Sequence, residues 1–294
     1  MKEMTKIDDL ALLANENSVC KAYLEAFLSN GFLPNRVVLV KFISDPKKNL
    51  GVKSLLKKVI KKALRSPKTA ATKLIGIFVN RSDSKPTFSP PQWLKELAAF
   101  CENKSLPFPQ FNTSVEEILI ENEIDYEILE ARTISDTIVE NYIRSSVSEK
   151  FILFSGGGIL RSNVLDLSQR FIHIHPGVVP EVKGADCILW SLLVREKIGM
   201  SMFFMNAGID TGDLVTACEY DLPSISLSEV SDGVVLSNDV VQYIDPIYRA
   251  ETMIRKILET PDLSSWESER QAPKSGKVYY FMHDSLKRLL PRSI

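Results

Sequence analysis

The opening of the chain constrains its fold most. Leu10 to Ala14 is a short apolar run, and Ser18 to Leu28 carries helical periodicity. Arg36 to Ile43 is a β-branched run of the kind that forms a buried strand. A strand, a helix and a strand in that order favour a parallel sheet covered by helices. The alternation continues, with a strand at Lys73–Asn80, a Ser- and Pro-rich loop from Ser82 to Pro91, and a helix from Gln92 to Asn103. Ser114-Val115-Glu116-Glu117 fits a capping box at the start of a short helix. Asp125–Leu129, Ser135–Arg144 and Phe151–Phe154 read as strand, helix and strand, and Phe171–Ile174 and Gly199–Met205 as two further strands. The predicted class is α/β, a Rossmann-like, mostly parallel sheet with helices on both faces, plus a short C-terminal extension.

After Val215 the pattern changes. Asp245-Pro246 predicts a helix start, Asp at the N-cap and Pro at the first position, with Met253, Ile254, Ile257 and Leu258 as the apolar face. The expected organisation is a catalytic domain over 1–235, with the helix and tail of 236–294 closing the same core.

Composition excludes several classes. A chain of 294 residues with 45% hydrophobic and 25% charged residues is an ordinary globular protein. A net charge of −1 leaves no global field to recruit nucleic acid or a membrane. No apolar stretch approaches a membrane span, and the short run Leu10–Ala14, with Asp8 and Asp9 before it, does not read as a secretory signal. Cys20, Cys101, Cys187 and Cys218 are scattered, without a CxxC pair, so a reducing cytoplasm is the expected location. Asp45 to Lys73 holds ten Lys and Arg against one acid, with Val52, Leu55, Leu56, Val59, Ile60, Ala63 and Leu64 at helical spacing. That is a basic amphipathic helix over 52–65, either a solvated face over a core stripe or a patch for phosphate-bearing ligands.

The chemistry concentrates elsewhere. Two of only three histidines, His173 and His175, sit one residue apart in the apolar segment Phe171–His175. In a strand, positions i and i+2 project from the same face, so both imidazoles enter one site. Gly208-Ile209-Asp210-Thr211-Gly212-Asp213 brings a glycine-flanked carboxylate from a second segment. Histidine titrates near neutral pH, so such a pair suits proton transfer. The third histidine, His283, is expected at the surface. Gly156-Gly157-Gly158 lacks the spacing of a phosphate loop and reads instead as a place where backbone approaches a ligand or turns sharply.

Taken together, Gly157-Gly158-Ile159-Leu160, His173-Ile174-His175-Pro176-Gly177-Val178-Val179-Pro180, Gly184 and Asp210-Thr211-Gly212 resemble the 10-formyltetrahydrofolate-dependent formyltransferase family. That superfamily includes methionyl-tRNA formyltransferase, glycinamide ribonucleotide transformylase and the sugar N-formyltransferases. The resemblance is dense over about 65 residues, from Phe151 to Val215, and extends toward Gln271 and Tyr279-Tyr280. It departs from the family pattern at two positions: His173 stands for the asparagine of Asn-x-His, and Gly177 for the serine after Pro.

The resemblance implies the formyltransferase fold and formyl transfer from 10-formyltetrahydrofolate to an amine, with His173, His175 and Asp210 as the catalytic residues. His175 would stabilise the oxygen of the formyl group and protonate the leaving nitrogen. Asp210 would orient His175 or a water and help remove the amine proton, and Asp213 would support the loop. His173 would supply the second contact to that oxygen or mark lost activity. The folate would lie along Phe154, Gly157, Ile159 and Leu160, and along Met205, Asn206 and Gly208. The family uses no metal, so none is expected, although His173, His175 and Asp210 also form a His₂-carboxylate set. A formyl-folate hydrolase, metal-dependent or not, and a non-catalytic binding protein are the rival readings. Only about 80 residues follow Asp213, and bulk charge is neutral. A large RNA is therefore not the expected acceptor, and a small-molecule amine such as an amino sugar on a nucleotide carrier is. Oligomeric state is not legible.

Overall fold

A computed structural model describes residues 4–43, 90–156, 158–223, 225, 233–272 and 276–291. The chain divides into two units, one of Met1–Lys41 with Gln92–Ile294 and one of Phe42–Pro91. The basic helix expected over 52–65 and the strand expected at Lys73–Asn80 lie outside the described residues, and everything below concerns the first unit.

A seven-stranded sheet organises this unit. In chain order its strands are β1 (Thr5–Ala14), β2 (Phe32–Phe42), β3 (Glu127–Ala131), β4 (Phe151–Phe154), β5 (Arg170–His175), β7 (Ile198–Phe204) and β8 (Asp213–Tyr220). Their spatial order is β3-β2-β1-β4-β5-β7-β8. β1 runs parallel to both β2 and β4, and β4 runs parallel to β5. β5 is antiparallel to β7, which is antiparallel to β8. β5 therefore sits where the parallel part of the sheet meets the antiparallel part. A second sheet of two short strands, β6 (Val182–Gly184) and β9 (Lys277–Tyr279), runs parallel.

The central strands, such as β4 and β7, are apolar on both faces because both faces are covered. Alternate residues enter two separate cores: Leu10, Leu12, Phe151, Leu153, Ile172 and Ile174 one, Ala11, Leu13, Ile152, Phe154 and Phe171 the other. The larger core is closed by helices α1 (Ser18–Asn30), α2 (Gln92–Lys104), α3 (Val115–Glu121) and α6 (Cys187–Arg195), and by the long C-terminal helix described next. The smaller core is closed by α4 (Thr137–Ser146) and the single turn α5 (Ser162–Leu165). The α/β class, mostly parallel with helices on both faces, is as the sequence predicts.

The capping box at Ser114 is present in full, with Ser114 and Glu117 satisfying each other's backbone N–H groups. The start of the C-terminal helix differs from expectation. Asp245 is no N-cap: the helix begins upstream as α7 (Gly233–Asp239), passes through a π-helical turn (Val240–Ile244) and continues as α8 (Asp245–Glu259). Asp245 has helical backbone angles and is buried. Pro246 lacks the N–H that would continue the α-helical ladder, and its ring would crowd the carbonyl of residue 242. The wider turn before it absorbs that defect without ending the helix. Among the described residues no helix is long and apolar enough to cross a membrane.

Candidate active site

β5 alternates Ile172 and Ile174 into the larger core and leaves Phe171, His173 and His175 on the opposite side. The two imidazoles thus share a face, with ring centroids 6.4 Å apart. Phe203, paired with His173 across β7, packs edge-on against it at 5.6 Å, and Phe154 lies 6.1 Å from it.

Both nitrogens of His175 have neighbours. Nε2 lies 3.1 Å from the carbonyl oxygen of Val182, and Nδ1 lies 3.4 Å from Oδ1 of Asp210. A carbonyl only accepts, so Nε2 carries a hydrogen and the neutral ring keeps its lone pair on Nδ1. Gly177 makes this possible. A Cβ there would stand 2.4 Å from the Val182 carbonyl oxygen and 3.0 Å from His175 Nε2. A side chain at 177 would force that carbonyl and the imidazole apart.

Asp210 arrives on the loop between β7 and β8. Its backbone is left-handed, φ +49°, a region Asp tolerates better than most residues. Its Oδ2 accepts the backbone N–H of Gly184 at 2.8 Å. Asn206 fastens the loop from inside: Oδ1 accepts from Gly208 N and Thr211 Oγ1, and Nδ2 donates to the Thr211 carbonyl. Gln271 fastens it from the tail, donating to the carbonyls of Asp210 (3.1 Å) and Gly212 (2.8 Å). A Cβ on Gly212 would fall 1.9 Å from the Phe204 carbonyl oxygen, so only glycine lets the loop turn back this tightly into β8.

Below the histidine strand lies Arg249. Its side chain is mostly enclosed, 14% exposed, and donates from Nη1 to the carbonyl of Ile174 (2.5 Å) and from Nε to Asp245 Oδ1 (2.8 Å). The acceptor Ile174 is the residue between the two histidines. Burial opposes the arginine's charge, but Asp245, with Tyr23 and Asp210, more than offsets it and holds the guanidinium above its ordinary value. Burial holds His173 well below its ordinary 6.5, with Arg249 and then His175 adding to the effect. Burial also lowers His175; Asp210 opposes this and Arg249 adds to it. Nδ1 of His173 is buried and has no hydrogen-bond partner among the described residues.

These shifts make the protein sensitive to acid. An unfolded histidine takes up its proton near 6.5, whereas folded His173 resists until much lower pH. The unfolded chain then binds more protons, so stability is full above 6.5 and falls as pH drops below it. His173→Asn should flatten that acid limb, read as Tm against pH; a wild-type slope in the variant would contradict this origin.

The other residues singled out from the sequence fall in different places. Leu160 is buried and Phe154 lies in the smaller core, with Met205 half-buried against it. Ile159 is 83% exposed, and Ile209, beside Asp210, is 65% exposed. Gly157 lies outside the described residues. Asp213 opens β8, opposite Phe204, and it is Asp210 that faces His175. His283 is exposed and caps the last short helix, α9 (Asp284–Lys287). Sequence reasoning missed Arg249 and the carbonyl of Val182. The Asp245–Arg249 spacing of four was the available sign of an ion pair. Nothing local marks a backbone carbonyl as an imidazole partner.

A Rossmann-like sheet with a paired histidine strand and a loop carboxylate is the class that this architecture defines. The chain belongs to the formyl transferase family, whose profile matches residues 10–224. A methionyl-tRNA formyltransferase of Clostridioides difficile is 30% identical over 122 residues, which are 40% of this chain and 38% of that relative. One from Finegoldia magna is 23% identical over 164 residues, 54% of this chain and 50% of the relative. The chain spans half or less of the length of the curated relatives it matches. Among solved structures, an N-formyltransferase from Helicobacter canadensis, in complex with folinic acid and dTDP-3-aminofucose, is 13% identical. It covers 93% of this chain and 71% of its own, with a TM-score of 0.49. Glycinamide ribonucleotide transformylase 1 from Symbiobacterium toebii is also 13% identical, covering 92% and 95%, with a TM-score of 0.46.

Proposed function

We propose that this chain transfers a formyl group from 10-formyltetrahydrofolate to the amine of a small acceptor, a nucleotide-linked amino sugar being the first class to test. One observation carries the reading, in a chain of the formyl transferase family: two acceptor atoms, His175 Nδ1 and Asp210 Oδ1, face each other across 3.4 Å. Such a gap takes up a proton, which is what an attacking amine must lose.

The residues present fit a folate. Ile159 and Ile209 hold large apolar side chains in solvent on the loops after β4 and β7, and His173 keeps a buried, unpartnered polar atom. Bound 10-formyltetrahydrofolate supplies the formyl carbon, which gains a bond to the amine nitrogen and loses its bond to the folate nitrogen. His175 and Asp210 take the amine proton between them and return it to the leaving nitrogen. Because Nε2 of His175 is committed to the Val182 carbonyl, its reacting atom is Nδ1. Contact with the formyl oxygen then falls to His173, at the position the resemblance gives to asparagine. Neutral, it donates one N–H as charge builds on that oxygen. Gly177, Gly184 and Gln271 hold the two reacting side chains in register.

The test is release of tetrahydrofolate by purified protein, followed by absorbance, with nucleotide-linked amino sugars, with methionyl-tRNA and with no acceptor. Release that needs an amino sugar supports the proposal. Release with methionyl-tRNA alone would move the acceptor to RNA. Release without acceptor would make the protein a hydrolase, and binding without turnover a folate-binding relative.

A further inference from the structure

We propose that His173, His175 and Asp210 form a binding site for one divalent transition-metal ion of the zinc class. One ring nitrogen of each histidine and one carboxylate oxygen of Asp210 lie within 4.8 Å of one another. The His175 Nδ1 to Asp210 Oδ1 separation of 3.4 Å already matches the ligand-to-ligand edge of a tetrahedral zinc site, about 3.4 Å for bonds of roughly 2.1 Å. The longest remaining edge needs His173 to close by up to about 1.4 Å, which a side-chain rotation supplies. His173 is the residue with least to hold it, since its Nδ1 is buried and unpartnered.

Three features beyond the ligands favour an ion. Metal-binding imidazoles nearly always donate their second N–H to a carbonyl or carboxylate, and His175 Nε2 faces the Val182 carbonyl at 3.1 Å. Ligating carboxylates are themselves hydrogen-bonded, and Asp210 Oδ2 accepts the Gly184 N–H at 2.8 Å. The lone pair left on His175 Nδ1 points at an acceptor oxygen, an arrangement that a cation between the two relieves. Two imidazoles and one carboxylate suit zinc, with a fourth position left for water or a substrate atom. Arg249, the cation felt by both histidines, is compensated by its pairing with Asp245.

An ion held by His175 Nδ1 and Asp210 Oδ1 would fill the gap that the formyl-transfer reading gives to the proton, so the inference stands apart from that reading, and its test uses neither folate nor amine. Full-length protein stripped by chelator and dialysed would be titrated with Zn²⁺ by calorimetry and with Co²⁺ by visible absorption. One ion per chain is expected, with the absorption of four-coordinate cobalt. His173→Asn and, separately, Asp210→Asn should each weaken binding by more than about 100-fold, since even the loss of an outer partner costs 10- to 100-fold. Two variants on different segments guard against one that fails to fold, which circular dichroism reveals. Wild-type protein that binds Zn²⁺ no more tightly than either folded variant overturns the site. Metal binding without formyl transfer would leave the site standing and sink the function; transfer without metal binding would do the reverse.

Discussion

His175→Ala should lower kcat for formyl transfer by on the order of 10³-fold while leaving folate binding within a few-fold of wild type. The size follows from what the side chain does. General acid–base groups contribute about 10²–10⁴ in rate, and in the proposed mechanism His175, together with Asp210, both receives and returns the proton. Asp210→Asn should cost less, on the order of 10²-fold, because an amide still orients the imidazole although it no longer balances its charge. The double variant should be little worse than His175→Ala alone, since residues that act as a unit are not additive. Single-turnover measurement of tetrahydrofolate release separates chemistry from product release. A His175→Ala enzyme within tenfold of wild type would remove His175 from the mechanism.

Arg249→Met should be the most destabilising single change in the described part of the chain. It leaves Asp245 buried without its cation and the Ile174 carbonyl without its donor. Breaking a buried pair by removing one partner typically costs about 3–5 kcal/mol. For a chain of this size that is a fall in Tm of roughly 10 °C. Adding Asp245→Asn to Arg249→Met should recover part of the loss, because the stranded charge is then gone. Arg249→Lys should not restore wild-type stability, since a single ammonium cannot reproduce the fork that spans a carboxylate and a carbonyl. Thermal unfolding of wild type, Arg249→Met, Asp245→Asn, the double variant and Arg249→Lys at one pH decides it. Additive losses in the double variant would mean that the pair is not coupled.

Legibility in the sequence followed the strength of local signals. Phe151–Phe154 is an unbroken apolar run and Gln92–Asn103 an amphipathic segment following a Pro-rich loop, and the structure places a strand and a helix there within a residue. β1 starts five residues before the predicted Leu10, at Thr5, because its first half is half-solvated and does not read as apolar. β8 and α6 were not anticipated: β8 is an edge strand with no buried stripe, and α6 is apolar over a stretch no longer than a strand. At the site, His173 and His175 were legible as a pair because strand geometry fixes their common face. Arg249 was not, because an arginine on an amphipathic helix normally marks the wet side, and only the tertiary contact with Ile174 reveals otherwise. Asp245-Pro246 imitates a helix start so well that the continuation upstream carried no sequence mark.

That continuation has a consequence for how the molecule tolerates change. Each residue in a helix advances its side chain by about 100° around the axis, so the wide turn at Val240–Ile244 acts as a phase shifter between α7 and α8. Deleting one residue there would leave both helices intact as helices yet swing every position after it to a new bearing. Arg249 would rotate away from the strand that carries both histidines, and a different side chain would face Ile174. Length, at this turn, matters more than identity.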